Sequence, residues 1–380
     1  MLPAKRSTFW IYLALIGTVA LCVCFYRAKA IPAPAASDGS VSLAVLGDSD
    51  SHAYHDSVFF PAGSVKRGGD HRSTTWQWTE LLQRLRGRQL DQGEWGFHGT
   101  RGVVARANRW LGREGRSPPK QDYRFNFALS GADCSDLLEG YSQQARALLS
   151  LMDQEPARWR NGVVLIRIGI NSFGDARDLE QLAHDPRAAG VQEKIAGCVR
   201  AIRDSVALLR GHHPKIRIVL VGIFNNADWP NYLDRWHDPV QLANIDEGLD
   251  AFDRALAGMA QADPGIAFFD DRAWFAARWG SRDGQGLPAY RDLVLGNLRV
   301  RNTAGDGPEH AVLADGHAGS AWNAEWARAL VELMNARFQL AVTPIARAEV
   351  IAALEREGTP ASEARQAGGL GKTIAPVTQP

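Results

Sequence analysis

The sequence predicts an α/β domain built on a mainly parallel β-sheet of about five strands. Short apolar segments alternate along the chain with longer segments whose apolar residues recur at helical spacing. The short segments are almost continuously apolar, which is typical of parallel strands that helices cover on both faces. Together these two observations favour a doubly wound domain with helices on either side of the sheet.

Each element follows from this alternation in chain order. The predicted strands span 42–46, 125–129, 163–168, 216–223 and 266–269. The predicted helices span about 75–86, 135–152, 189–211, 241–262 and 320–338. Two insertions interrupt the pattern, at about 52–120 and 280–314, and segments of this length are usually functional or carry structure of their own.

The N-terminal segment predicts export from the cytoplasm. An uninterrupted run of 19 mostly apolar residues covers 8–26 and follows Lys5 and Arg6. Such a run nearly spans a bilayer core, and the basic residues before it favour an orientation with the body outside. Residues 28–30 (Ala-Lys-Ala) resemble a signal-peptidase site, so residues 1–30 form either a signal peptide or a signal anchor. We therefore expect an extracytoplasmic protein, periplasmic or in the cell envelope, that is secreted or anchored in the membrane.

The remaining boundaries follow from composition. Residues 31–40 are rich in Pro, Ala and Ser, which predicts a linker. The α/β domain is expected over 41–340, including its two insertions. Residues 341–380 are expected to form a helix followed by a disordered tail, because the last twenty or so are rich in Gly, Ala, Pro and Thr.

The overall composition argues against a nucleic-acid partner. Apolar residues make up 45% of the chain and charged residues 22%, as in ordinary globular proteins, and the formal net charge is only +1. A nucleic-acid-binding body would be basic. The body contains two cysteines, Cys134 and Cys198, which an exported protein can pair, although two buried thiols fit the sequence equally well.

Four short turns carry the polar residues from which a site can be built. In an open parallel sheet, ligands bind beyond the carboxyl ends of the strands. Three turns follow predicted strands and one precedes the last predicted helix: Gly47-Asp48-Ser49, Ser130-Gly131-Ala132, Gly169-Ile170-Asn171 and Asp315-Gly316-His317. One serine, one glycine, one asparagine and one histidine are therefore expected to converge on one edge of the sheet.

These residue types match the needs of ester cleavage. A serine hydroxyl is a weak nucleophile and needs a base beside it, so Ser49 is the candidate nucleophile and His317 the candidate base. Asp315 is the nearest carboxylate in sequence that can hold the imidazole in the required tautomer. The oxyanion of the tetrahedral intermediate needs fixed donors, and the backbone N–H groups of Ser49 and Gly131 with the side-chain amide of Asn171 can supply them.

The blocks around these turns resemble a known family. The segments LAVLGDSDS, FNFALSGADCSDLL, IRIGINSFGD and ADGHAGSAWNAEWA are similar, in order and spacing, to the four conserved blocks of the SGNH (GDSL) hydrolase family of lipases and esterases. The resemblance runs from about residue 42 to 337. It implies a flavodoxin-like three-layer α/β/α sandwich and metal-free hydrolysis of esters, with Ser49 as nucleophile, Gly131 and Asn171 in the oxyanion hole and His317 as base.

The sequence departs from the family pattern at the catalytic acid. The family usually has two residues between this acid and the histidine, whereas here Gly316 alone separates Asp315 from His317. Asp306, Glu309 or a backbone carbonyl group remain alternatives for orienting the ring.

A metal or cofactor is not expected. Asp50 and His52 form the D-x-H step that opens a two-metal phosphoesterase pattern, but the third predicted strand ends in Gly-Ile-Asn-Ser without the histidine which that pattern needs. His52 is instead a candidate substrate-binding residue near the pocket. Trp229 is the best candidate platform for a sugar ring, because aromatic faces suit sugars.

The sequence thus predicts an extracytoplasmic serine esterase or deacylase that hydrolyses an ester, small or glycan-linked, through an acyl-enzyme. Two other functions stay open. An O-acyltransferase that moves an acyl group to an envelope glycan would use the same site. A non-catalytic glycan-binding envelope module would keep the pocket without turnover.

Overall fold

The computed structural model describes residues 39–357, and these lie in one compact unit that begins at Gly39. Within them the chain forms ten strands: β1 (Val41–Gly47), β2 (Leu90–Asp91), β3 (Trp95–His98), β4 (Lys120–Tyr123), β5 (Val163–Arg167), β6 (Arg217–Val221), β7 (Ile266–Phe269), β8 (Leu293–Leu295), β9 (Leu298–Ala304) and β10 (His310–Val312).

Eleven helices accompany these strands in the same residues. They are α1 (Trp78–Arg86), α2 (Gly102–Trp110), α3 (Gln144–Met152), α4 (Pro156–Trp159), α5 (Ile170–Phe173), α6 (Ala176–His184), α7 (Ala189–His212), α8 (Pro239–Ala262), α9 (Asp271–Trp279), α10 (Ser320–Phe338) and α11 (Arg347–Glu357). None of them is long and apolar enough to cross a membrane. The apolar run at 8–26, most of the predicted linker and the tail from 358 lie outside the described residues.

The central sheet has five parallel strands in the order β2-β1-β5-β6-β7. Counted along the chain within this sheet, the order is 2-1-3-4-5, which is the order of flavodoxin-like doubly wound sheets. The prediction of a mixed α/β fold on a five-stranded parallel sheet is therefore confirmed.

Helices cover both faces of this sheet. Alternate residues of a strand point to opposite faces, and neighbouring β1 residues accordingly belong to two different apolar cores. Ala44 and Leu46 pack in the core that contains α3, α7 and α8. Leu43 and Val45 pack in the core that contains α1, α9 and α10. This double covering explains why the sheet strands are apolar almost throughout.

The prediction of a sheet strand at 125–129 is wrong. The edge position beside β1 is occupied first by β2, which pairs with Val41 and Ser42. Residues 125–129 then run beside the second half of β1, with backbone hydrogen bonds from Val45 to Phe125, from Phe127 to Val45 and from Leu129 to Gly47, but form only an isolated bridge. The segment is apolar because it lies against β1.

One predicted helix is shorter than expected. The segment 135–152 is helical only from Gln144 to Met152, and Cys134–Leu137 form a single 3-10 turn. Both long insertions contain regular structure: the first includes α1, α2 and the antiparallel pair β3–β4, and the second includes the small sheet β8–β9–β10.

The two body cysteines are paired. Cys134 and Cys198 form a disulfide with their Cα atoms 5.0 Å apart. The bond joins the turn after Gly131 to α7, and it closes a loop between positions 64 apart in sequence. A crosslink over a loop of this length stabilises a fold by about 4 kcal/mol in the chain-entropy model.

Candidate active site

The predicted site residues border one cavity at the carboxyl edge of the sheet. The cavity has a volume of about 290 Å³. Its lining includes Ser49, Asn171, Asp315, His317 and Trp229. The parallel sheet brings Ser49 and Asn171 together because their turns follow the neighbouring strands β1 and β5, whereas Asp315 and His317 reach the cavity in the turn between β10 and α10.

Ser49 follows β1 in a turn that the fold holds on two sides. Gly47 lies so close to the carbonyl oxygen of Arg167 on β5 that a side chain would not fit there. The buried side chain of Gln144 binds the Gly47 backbone twice: its Oε1 accepts from Gly47 N at 2.7 Å and its Nε2 donates to Gly47 O at 2.8 Å. Gln144 therefore fixes the turn that presents Ser49, and nothing in the sequence pattern pointed to it.

Asp48 supports the same turn from inside the protein. Its side chain is buried, and its Oδ1 accepts a hydrogen bond from the backbone N–H of Asp50 at 3.0 Å. Burial raises the pKa of Asp48, and the negative charge of Asp50 raises it further. The residue orders the turn and does not border the cavity.

Asp315 lies within hydrogen-bond distance of His317 despite the short spacing. The ring Nδ1 lies 3.2 Å from Asp315 Oδ1 and 3.2 Å from the Asp315 carbonyl oxygen. Gly316 between them has a φ of 80°, a left-handed conformation that suits glycine. This bend returns the carboxylate to the ring. The two alternative acids contact other groups. Asp306 accepts a hydrogen bond from the backbone N–H of Ala314, and Glu309 lies 3.5 Å from Nε2 of His310.

Ser49 and His317 border the same cavity, but no hydrogen bond joins the Ser49 hydroxyl to the imidazole in the part of the chain that the structure describes. Catalytic hydrogen bonds are often long in unliganded sites and tighten when substrate binds.

Arg67 contacts the Asp315–His317 pair from within the first insertion, and no sequence pattern pointed to it. It is almost fully buried, and its backbone has a φ of 62°. Its NH1 lies 2.5 Å from Asp315 Oδ2, and its backbone N–H donates to the same oxygen at 2.9 Å. Burial raises the pKa of Asp315, but His317 and Arg67 outweigh burial and hold that pKa well below its usual range. Asp315 is therefore a carboxylate at neutral pH.

Arg67 also contacts the histidine itself. Its NH1 lies 2.7 Å from His317 Nδ1, closer than either acceptor on Asp315. A guanidinium only donates hydrogen bonds, so in this contact Nδ1 acts as the acceptor and the ring proton is on Nε2. A base that accepts the serine proton needs the opposite tautomer.

Asn171 borders the same cavity as Ser49. It stands in α5, directly after β5. Its Nδ2 donates to the carbonyl oxygen of Ala132 at 2.9 Å, which ties the third turn to the second. Gly131, in that second turn, has a φ of 84° and is exposed, but it is not among the residues that line the cavity.

His52 does not reach the cavity. Its side chain is fully buried, with Nε2 2.8 Å from Asp56 Oδ2 and Nδ1 3.0 Å from both the hydroxyl and the backbone N of Ser130. Burial lowers the pKa of His52 to about 4, and the nearby Lys120 lowers it too. A role in substrate contact is therefore not supported, because both ring nitrogens are occupied by the protein.

Trp229 forms part of an aromatic wall. Its ring centroid lies 5.2 Å from those of both Phe224 and Trp322. These two residues, together with Tyr232, also line the cavity. Trp229 is half-buried, so one part of the indole packs and the rest faces the open space.

Arg167, at the end of β5, is a buried ion-pair partner. Its NH2 donates to Asp271 Oδ2 at 2.9 Å and its NH1 to the backbone oxygen of Asp50 at 3.2 Å. It thus places a positive charge in the cavity wall next to the nucleophile turn.

Comparison with known proteins gives only distant structural likenesses. No protein-family model matches the chain, and no curated protein sequence matches it. Among solved structures, the chain is similar to the lipase Lip_vut3 from a goat rumen metagenome, with a TM-score of 0.33 and 14% identity over 63% of this chain and 84% of the lipase.

Two Streptomyces enzymes give comparable values. The extracellular lipase of Streptomyces rimosus has a TM-score of 0.29 and 18% identity over 68% of this chain and 90% of its own. Phospholipase A1 of Streptomyces albidoflavus has a TM-score of 0.31 and 13% identity over 78% of this chain and 99% of its own. With TM-scores this low, the functional conclusion depends on the site.

Proposed function

We propose that this protein is a serine ester hydrolase of the SGNH type that acts through an acyl-enzyme on Ser49. One observation carries the proposal: a single cavity brings together Ser49, Asn171 and the Asp315–His317 pair. A nucleophile, a base with its orienting carboxylate and an amide donor are the groups that acyl transfer requires.

In the proposed cycle, the Ser49 hydroxyl attacks the carbonyl carbon of the ester while its proton passes to Nε2 of His317. Asp315 accepts the Nδ1–H bond and stabilises the imidazolium. The amide of Asn171 donates to the oxyanion, together with the backbone N–H groups of Ser49 and Gly131. The alcohol leaves with the proton from His317, and water then cleaves the acyl-enzyme by the same path. For the first step Arg67 must direct its NH1 to Asp315 alone.

We further propose that the alcohol part of the ester is a sugar and that the enzyme works outside the cytoplasm. The cavity offers aromatic faces at Trp229 and Tyr232, and amides at Asn226 and Asn231. This mixture suits a ring that stacks on one side and carries hydroxyl groups. The disulfide is favoured in an oxidising compartment, in agreement with the apolar N-terminal run.

The test is hydrolysis of p-nitrophenyl acetate and of an acetylated sugar by the full-length protein in mild detergent, with Ser49→Ala as control. We expect release of acetate that disappears in S49A. Adding an unacetylated sugar acceptor separates the two enzymatic functions: a transferase would acetylate the acceptor at the expense of free acetate. Folded protein that binds the sugar but cleaves neither ester would contradict an enzymatic function.

A further inference from the structure

Helix α2 presents its apolar side to solvent. Val103 is 85% exposed, Trp110 86% and Leu111 54%, whereas Ala105 is the only buried residue of the helix. Soluble surfaces rarely leave such large side chains exposed together without a partner. These values set α2 apart from the other long helices of the described chain, which bury apolar residues on one face.

The exposed apolar residues form one stripe. They occupy positions 103, 104, 107, 110 and 111, a spacing that places them on the same side of an α-helix. Ala105 lies on the opposite side, against the body, and Arg109 fastens that side by donating to the carbonyl oxygen of Gly115. A core helix buries its large apolar residues. In α2 the small residue Ala105 faces the body instead, and the large apolar residues face solvent.

Positive charge borders this stripe. Arg101, Arg106 and Arg113 are all exposed on or beside α2. The only acidic residue in 101–114 is Glu114, which is partly buried. Its Oε2 lies 3.9 Å from NH2 of Arg124. An exposed stripe of Val, Trp and Leu flanked by arginines is the pattern of a helix that lies in the interface of an anionic bilayer.

We propose that α2 docks in the surface of a membrane that contains anionic lipids, with Trp110 and Leu111 at the boundary between headgroups and acyl chains. A second copy of the chain is a less favourable partner for α2, because two facing stripes would bring their arginines together and the like charges would repel. The 19-residue apolar run at 8–26 is a separate sequence feature that favours a membrane as partner. The proposal is independent of the chemistry at Ser49.

The experiment is amide hydrogen exchange of full-length protein in vesicles of phosphatidylcholine alone and of phosphatidylcholine with phosphatidylglycerol. We expect exchange across 102–111 to be on the order of tenfold slower in the anionic vesicles, and the difference to shrink at high salt. Equal exchange in the two kinds of vesicle would overturn the proposal. Protection that grows with protein concentration without lipid would overturn it in favour of self-association.

Variants make the comparison specific. In V103S/W110S/L111S the difference between the two vesicle compositions should vanish, and in R106Q/R113Q it should fall. Each variant is compared with itself in both vesicles, so that any fraying of α2 cancels. Val240→Ser is the matched control, since Val240 is 66% exposed on α8, and it should keep the full difference. A triple variant that retained the difference would contradict docking through the stripe.

Discussion

At the scale of single residues, the state of His317 depends on a competition at one nitrogen. Asp315 offers two acceptors to Nδ1, its carboxylate and its backbone carbonyl, both at 3.2 Å. Arg67 offers a donor at 2.7 Å. Nδ1 either donates or accepts, and only the donating form leaves Nε2 free to accept the serine proton. The balance between these contacts therefore sets the fraction of molecules that is ready to react.

Once Arg67→Met has removed the competing donor, this geometry predicts that two substitutions of Asp315 differ in severity. In Asp315→Ala the backbone carbonyl remains as an acceptor for Nδ1–H, so part of the esterase activity should survive. In Asp315→Asn the new amide can donate to Nδ1 and fix the wrong tautomer, so kcat should fall by about 10⁴-fold. Steady-state kinetics of both variants on p-nitrophenyl acetate measures the difference. If D315A were as inactive as D315N or more so, the backbone carbonyl would have no orienting role.

The sequence was informative about this site wherever chemistry follows a strand end. Ser49 and Asn171 could be named because their turns follow neighbouring parallel strands, and His317 because its segment before the last helix resembles the fourth block of the family pattern. Arg67 could not be named, because it lies within a long insertion and reaches Asp315 only through the fold. His52 was misplaced for a related reason: proximity to Ser49 in sequence does not show that the side chain turns inward.

At the scale of elements, the first insertion is joined to the sheet edge by a buried network. His52 binds Asp56 within the insertion and Ser130 in the turn before Gly131. Arg67 reaches the same Ser130 hydroxyl at 3.2 Å. The network therefore holds the insertion against the turn that carries a proposed oxyanion donor.

This network predicts a loss of stability in acid. Burial, with the positive charge of Lys120, lowers the pKa of His52 to about 4, whereas an unfolded histidine titrates near its usual 6.5. As the pH falls from about 6.5 to about 4, the unfolded chain takes up a proton that the folded protein does not. The buried neutral His52 therefore contributes about 3 kcal/mol to the free energy of unfolding above pH 6.5. This contribution is lost as the pH falls to about 4.

Urea unfolding at several pH values tests this expectation in the wild type and in His52→Gln, which keeps polar contacts without titrating there. Other groups titrate in both proteins, so the informative quantity is the difference between the two slopes of unfolding free energy against pH. The slope should be smaller in H52Q. Identical slopes would mean that His52 takes up its proton over the same pH range in the folded protein as in the unfolded chain.

The elements themselves were predictable to the extent that they bury long apolar stretches. Four of the five central strands could be placed because each is apolar over four residues or more. The edge strand β2 spans only Leu90–Asp91, and two residues carry no periodicity. The segment 125–129 has the composition of a strand because it lies against β1, although it pairs there only in part.

At the scale of the whole molecule, one cavity collects residues from turns spread along almost the entire described chain. Ser49 follows the first strand, Asn171 follows β5, Trp229 follows β6 and His317 precedes α10. The parallel sheet makes the meeting of the first three a consequence of topology, since its strands all end at the same edge, and the turn before α10 adds His317 there. We propose that this convergence activates Ser49.

The most direct measurement is covalent labelling of the full-length protein by a fluorophosphonate probe, with Ser49→Ala beside it. We expect a single labelled serine, located at position 49 by peptide mass spectrometry, and no labelling in S49A. Labelling that persisted in S49A, or its absence in wild-type protein shown to be folded, would contradict the claim that Ser49 is an activated nucleophile.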